Sequence, residues 1–358
     1  MTSYADPVIA DYHLFPSPAA IREELPAPAG VAAGVARSRA EVSAVLDGTD
    51  DRLLVIVGPC SVHDPAAALD YAARLAGTGL GDDLLIVMRV YLEKPRTVTG
   101  WAGLIGDPAM DGSHDVPGGL RAARRLLGGV AAMGMPAGCE WLSPAVPPYL
   151  ADLVTWGAIG ARTTESQVHR QLASGLPMPV GFKNGTDGDV QVAIDACRAA
   201  ARGHTFMGVT ASGATGVVKT SGNPDCHVIL RGGRTGPNYG PPHVATALDL
   251  IAGAGMRPRL IIDAAHGNSG KDHTRQPAVA WAVGGQVAAG ERGIAGVMLE
   301  SFLVAGRQEP GELPSLRYGQ SVTDACIDFP TTTAVLETLA GAARQRRRVS
   351  APVRGARQ

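Results

Sequence analysis

From Leu53 onward the chain repeats one unit: a short β-rich apolar run, a polar or glycine-bearing loop, then an Ala/Leu-rich stretch of helical period. The apolar runs predict eight strands, at Leu53–Gly58, Leu84–Tyr91, Pro136–Leu142, Gly157–Thr163, Val180–Asn184, His227–Gly232, Leu260–His266 and Gly296–Ser301. Between the fifth and sixth, Phe206–Thr210 and Gly216–Thr220 flank a Gly/Ser turn and read as an inserted hairpin. Continuous apolar strands separated by helices call for a parallel sheet covered on both faces, and an eight-stranded barrel provides that without edges. The α/β class, as a (β/α)8 TIM barrel, is therefore the expected fold. A doubly wound open sheet is the alternative, but no GxGxxG follows the first strand.

The repeat does not reach the ends of the chain. Residues 1–50 read as an N-terminal extension with one helix, Ala32–Leu46, serving an interface or regulation. Residues 51–340 are the barrel domain, and 341–358, which end in RQRRRVSAPVRGARQ, read as a basic, disordered tail.

Composition narrows the setting. No run approaches the roughly 20 apolar residues of a membrane span, and the N-terminus has no basic segment followed by an apolar one. A cytoplasmic protein is expected. Its five cysteines form no CxxC pair, which fits a reducing compartment. A net charge of −1 gives no global field for nucleic acid or membrane, so neither is an expected partner. Local charge is more informative. Only four of the 32 basic residues are lysines, Lys94, Lys183, Lys219 and Lys271, so a lysine marks a place that wants a compact, titratable cation.

Barrel enzymes build their sites at the C-terminal ends of the strands. The polar residues falling there are, in order, Cys60, then Arg89 with Lys94 and Arg96, then Glu140, Arg162, Lys183, Arg231, His266 and Glu300. At least six cations around one mouth would neutralise two phosphates, or a phosphate and a carboxylate. In Glu93-Lys94-Pro95-Arg96-Thr97 a proline holds two cations apart before a hydroxyl, which suits an anionic tail. Cys60, His266, Glu300 and, in the loop after the last strand, Asp324 form a four-ligand candidate metal site. A thiolate, an imidazole and two carboxylates suit Mn2+, Fe2+, Co2+ or Zn2+ better than Mg2+. Cys60 as a nucleophile beside His266 is the rival reading, with no acyl-transfer motif to accompany it.

Long segments carry a resemblance. VGPCSVHDP at Val57–Pro65, RVYLEKPRTVTGWAGLIGDPAMDGS at Arg89–Ser113, the stretch Trp156–Gly188, TSGNPDCHVILRGG at Thr220–Gly233 and SVTDACI at Ser321–Ile327 resemble the class I, microbial type of 3-deoxy-7-phosphoheptulonate (DAHP) synthase. The resemblance spans about Asp51 to Phe329 and implies a transferase at the first step toward chorismate in the shikimate pathway. It would join phosphoenolpyruvate to erythrose 4-phosphate and release phosphate. It implies one divalent metal on Cys60, His266, Glu300 and Asp324, and phosphoenolpyruvate on Arg89, Lys94, Lys183, Arg162 and Arg231. Erythrose 4-phosphate would sit on Lys94, Pro95, Arg96, Thr97 and Asp324. Lys94 is the expected proton donor, and Glu140 or His266 the group that handles the attacking water. The family's extension and hairpin imply an aromatic amino acid as feedback inhibitor and a homodimer or homotetramer. Divergence around the extension and Pro177 leaves the inhibitor open. A related synthase acting on arabinose 5-phosphate is the nearest rival, and the KPRT loop argues against it; a regulatory paralogue is another.

Overall fold

The computed structural model describes residues 13–96 and 100–350. In chain order its strands are β1 (Leu53–Gly58), β2 (Leu84–Arg89), β3 (Ala137–Glu140), β4 (Trp156–Ile159), β5 (Val180–Lys183), β6 (Thr205–Val209), β7 (Thr215–Lys219), β8 (His227–Leu230), β9 (Leu260–Asp263), β10 (Ile294–Glu300), β11 (Val304–Arg307) and β12 (Gln320–Ser321). Eight of them close a parallel barrel in chain order, β5 pairing directly with β8 and β10 with β1. The expected (β/α)8 barrel is therefore the fold. Strands β6 and β7 pair antiparallel outside it, as the hairpin pattern predicts. Most barrel strands stop short of their predicted C-terminal ends, because the last apolar residues already turn into the loops that form the mouth.

Two cores explain the continuous apolar runs. Leu54 and Ile56 of β1, Leu85 and Val87 of β2, Trp156 and Ala158 of β4, and Met298 of β10 fill the barrel interior. Their strand neighbours Leu53, Val55 and Val57 face outward into the helix layer, as the two-residue period of a strand requires. That layer holds α3 (Pro65–Ala76), α4 (Val116–Ala132), α6 (Gln167–Ser174), α7 (Gln191–Ala200), α8 (Pro241–Gly253), α10 (Gln276–Ala288) and α11 (Phe329–Ser350), with short α5 (Pro147–Leu150); short α9 (His266–Ser269) lies instead at the mouth. Sharp starts follow from local chemistry. Asp64 accepts from the amides of Ala66 and Ala67, and Pro65 occupies the first helical position of α3. Among the described residues, no helix is long and apolar enough to cross a membrane.

The extension contributes two helices where the pattern showed one: α1 (Pro18–Glu24) and α2 (Val31–Asp47). Val42, Val45 and Leu46 of α2 join the interior core, so the helix closes the N-terminal end of the barrel. Arg39 pins it by donating to the carbonyls of Ala151 and Val154 at 2.6 and 2.8 Å.

The expected disordered tail needs correction. Gly341–Ser350 continues α11 as regular helix, while residues 351–358 lie outside the described residues. The basic run is held because the N-terminal barrel end offers acceptors. Buried Arg346 donates to Ile294 O and Asp51 O, each at 3.0 Å, and Arg344 and Arg347 both reach Asp83. Charge patterning alone did not show that these arginines have fixed partners.

Candidate active site

At the C-terminal ends of the strands lies a cleft of about 880 Å³. Cys60, Arg89, Lys94, Pro95, Arg96, Glu140, Arg162, Lys183, Arg231, His266, Glu300 and Asp324 all line it. Thr97 lies outside the described residues. The pairing of Gly58 with Glu300 sets the ends of β1 and β10 side by side, which carries Cys60 next to Glu300.

Three of the four expected ligands converge: donor atoms of Cys60, Glu300 and Asp324 lie within 4.8 Å of one another. Cys60 Sγ is 3.4 Å from Asp324 Oδ2, and His266 Nε2 is 3.7 Å from Glu300 Oε1. Atoms sharing one ion at about 2.1–2.3 Å stand roughly 3–4 Å apart, so these spacings and this donor set fit a divalent metal. His266 stands at the edge of the triad and is aimed by Asp263, whose Oδ2 is 2.9 Å from its Nδ1. His266 takes φ of 53°, a left-handed conformation unusual for a side chain of this size. Lys94 Nζ also sits here, 2.7 Å from Cys60 Sγ and 2.9 Å from Asp324 Oδ2. Burial, helped by Glu300, pushes the Cys60 thiol up to about 12.

The cations are placed with unequal freedom. Arg89 is buried, donates to Glu300 Oε1 at 3.1 Å and lies 4.0 Å over the ring of Tyr91. Burial works against its charge, but Tyr91 and the Glu300 carboxylate raise its pKa further. Lys183 is buried against Asp263 at 2.8 Å. Burial would raise the Asp263 pKa, yet Lys183 and His266 hold that carboxyl well below its usual range. Arg162 and Arg231 face the opening more freely, contacting only the carbonyls of Pro95 and Gly232 at 3.2 and 3.3 Å among the hydrogen bonds described.

Asparagines brace Arg231. Asn184 Oδ1 accepts from the Arg231 amide at 2.7 Å, and Asn238 Oδ1 accepts from Gly232 N at 2.7 Å. Asn268 accepts from Asn238 N at 2.8 Å and donates to Asp263 O at 2.8 Å, so the loops after β8 and β9 form one unit. A Cβ on Gly232, at φ of 71°, would stand 2.4 Å from Gly267 C, which is why two glycines meet there. Gly160 serves similarly, since a Cβ would fall 2.2 Å from Glu140 Oε1. Two groups escaped the sequence reading. Asp263 could have been found from its place three residues before His266 at a strand end. Tyr91 was hidden in an apolar run, and its buried hydroxyl has no hydrogen-bond partner among the described residues.

A second cavity, of about 1170 Å³, lies between the hairpin and the extension. Phe206, Val209 and Val218 line it from the hairpin, Arg39, Ala40 and Ser43 from α2, and Leu176 and Pro177 from the loop after α6.

Fold and site together define a class: a (β/α)8-barrel enzyme acting on anionic small molecules beside a group of side chains able to hold a metal. The chain belongs to the DAHP synthetase I family, whose sequence model matches residues 31–337. The phospho-2-dehydro-3-deoxyheptonate aldolase of Corynebacterium glutamicum is 51% identical over 348 residues, covering 95% of this chain and 94% of that protein. The Phe-sensitive aldolase of Escherichia coli K12 is 53% identical over 332 residues, covering 92% of this chain and 95% of its own. A solved phospho-2-dehydro-3-deoxyheptonate aldolase from Francisella tularensis superposes with a TM-score of 0.92 at 47% identity, covering 94% and 99% of the two chains. Membership makes this chain an enzyme of DAHP formation, the first step of aromatic biosynthesis.

Proposed function

We propose that the cleft binds phosphoenolpyruvate and erythrose 4-phosphate at the residues assigned here and condenses them with water. One observation carries these assignments: the donor atoms of Cys60, Glu300 and Asp324 gather within 4.8 Å inside a cleft lined by Arg89, Lys94, Arg162, Lys183 and Arg231. Arg162 and Arg231, the less committed cations, take the phosphate of phosphoenolpyruvate, while Arg89, Lys94 and Lys183 face its carboxylate. Arg96 and Thr97 take the aldose phosphate.

Cys60, His266, Glu300 and Asp324 would hold one divalent ion of the Mn2+, Fe2+, Co2+ or Zn2+ group. That ion supplies Lewis-acid polarisation of the aldehyde oxygen. Carbon 3 of the enol phosphate attacks the aldehyde carbon, and Lys94 gives a proton to the oxygen of the new alcohol. Water adds at carbon 2, and the resulting phosphohemiketal breaks its carbon–oxygen bond to release phosphate. Both nitrogens of His266 face carboxylates, Asp263 and Glu300, so Glu140 on the opposite wall is the better acceptor for the water's proton.

The test measures phosphate release from phosphoenolpyruvate with erythrose 4-phosphate, with arabinose 5-phosphate, and with no aldose. Release only with the four-carbon sugar, abolished by chelator and restored by Mn2+, supports the reading. Equal rates without aldose would overturn it.

The cavity between hairpin and extension is proposed as the seat of an aromatic amino acid inhibitor. Its apolar hairpin side suits the ring, and Arg39 and Ser43 offer polar contacts. Met207 and Val217, paired across the hairpin, leave 79% and 74% of their surface exposed, which suits burial in a homodimer or homotetramer. Five free, buried cysteines suit a reducing compartment, and the cytoplasm is the proposed location.

A further inference from the structure

We propose that Lys94 and the divalent ion are rivals for the same donor atoms, so that metal loading drives the Lys94 ammonium off Cys60 and Asp324 and into the substrate cleft. The proposal rests on the metal centre described above.

The geometry leaves no room for both. Lys94 Nζ lies 2.7 Å from Cys60 Sγ and 2.9 Å from Asp324 Oδ2, and those two atoms are 3.4 Å apart. An ammonium there uses the lone pairs that a metal at about 2.1–2.3 Å would take. Two cations roughly 3 Å apart repel even where Asp324 is 47% exposed, and the more so because the Lys94 side chain is only 13% exposed. The backbone does not need to move. Lys94 N is anchored to Ala102 O at 3.0 Å, and the four-carbon stem can rotate its charge toward the cleft it lines. A compact ammonium on a flexible stem can swing away from its donors more readily than a rigid planar guanidinium, which gives a reason for lysine in a chain that otherwise prefers arginine.

Proton donation is then armed by loading. With the ion in place, the ammonium is released to the spot where it meets phosphoenolpyruvate and aldehyde. When the ion leaves, the lysine returns to Cys60 and Asp324 and is withdrawn from substrate.

Mn2+ affinity, measured by competition with a chromogenic chelator, tests this without turnover. Lys94→Met and Lys94→Gln should bind Mn2+ at least about tenfold more tightly than wild type, because the competitor is gone. Arg162→Gln, which removes an equal charge from the same cleft but not from the donors, should tighten binding by no more than about twofold. Reductive methylation of the wild-type protein, followed by peptide mapping, gives a second readout free of variants. Lys94 should be modified several-fold faster with Mn2+ than without, and Lys219 equally in both. Lys94 variants no tighter than Arg162→Gln, or Lys94 methylation unmoved by Mn2+, would overturn the rivalry. Cys60→Ala and Asp324→Ala separate the two failures: if neither weakens Mn2+ binding, the metal centre itself is wrong.

Discussion

Asp263 Oδ2 stands 2.9 Å from His266 Nδ1, which fixes which ring nitrogen faces the metal-binding group. The same carboxylate oxygen lies 2.8 Å from Lys183 Nζ, so one buried group orients the proposed metal ligand His266 and the proposed substrate cation Lys183 together. Asp263→Ala would leave Lys183 buried without its partner and His266 free to turn. Loss of roughly 3–5 kcal/mol in stability is expected from the stranded charge, and a 10- to 100-fold loss of metal affinity from the freed ligand. Urea denaturation and chelator competition read the two effects separately.

Arg162 predicts a binding defect without a folding one. It is exposed and contacts Pro95 O alone among the hydrogen bonds described. Arg162→Ala should raise KM for phosphoenolpyruvate at least about tenfold, the worth of one charge-assisted hydrogen bond, while the melting temperature stays within about 1 °C. An unchanged KM would remove Arg162 from the phosphate site.

Regulation should separate from catalysis at the second cavity. Val209 lines it from the hairpin. Val209→Trp fills part of that space and should abolish inhibition by phenylalanine, tyrosine or tryptophan, whichever acts on the wild type, leaving uninhibited kcat within about twofold. Retained inhibition by the same amino acid would point to a different site.

Buried His227 and half-buried Glu93 titrate in opposing senses, so only single variants reveal either. Burial lowers His227 to about 4 from an ordinary 6.5; it accepts from Trp156 Nε1 at 3.2 Å and lies 3.0 Å from Asp225 O. The unfolded chain then binds the extra proton first, so this contribution, about 3 kcal/mol, is complete above pH 6.5 and lost as pH falls toward 4. Glu93 is raised by burial to about 7 from 4.5, so its contribution is complete below pH 4.5 and lost as pH rises through 7. Urea titrations across this range should show His227→Gln gaining on wild type as pH falls from 6.5 toward 4, and Glu93→Gln gaining as pH rises from 4.5 to about 7 and level beyond it. Parallel curves would remove the effect.

Arg346 should matter more than a tail residue would. Arg346→Ala strands the carbonyls of Ile294 and Asp51 and should cost about 1–3 kcal/mol in urea denaturation. Stability within error of wild type would show that the end of α11 does not secure the barrel.

The barrel and most of its mouth were legible in the sequence because both obey short-range rules. Buried strands must be apolar throughout, and a strand end such as Leu230–Arg231 or Phe182–Lys183 announces itself where that run meets a charge. What stayed hidden depends on partners far away in the chain. Asp263 gains its role only when Lys183 arrives from β5, 80 residues earlier. The last turns of α11 look like a solvated basic tail until Asp51 and Asp83 stand beside them. The Lys94 contact with Asp324 spans 230 residues, a separation that no local motif encodes.

Helix α2 presents two adjacent stripes with different duties. Arg39, Ala40 and Ser43 line the cavity beside the hairpin, whereas Val42, Val45 and Leu46 fill the barrel's lower end. For protein engineering this amounts to a partition of the helix into an editable lane and a protected one. Libraries at 40 and 43 can search for altered inhibitor choice or none, while Arg39, which pins the helix, and 42, 45 and 46 are held constant to keep the barrel closed.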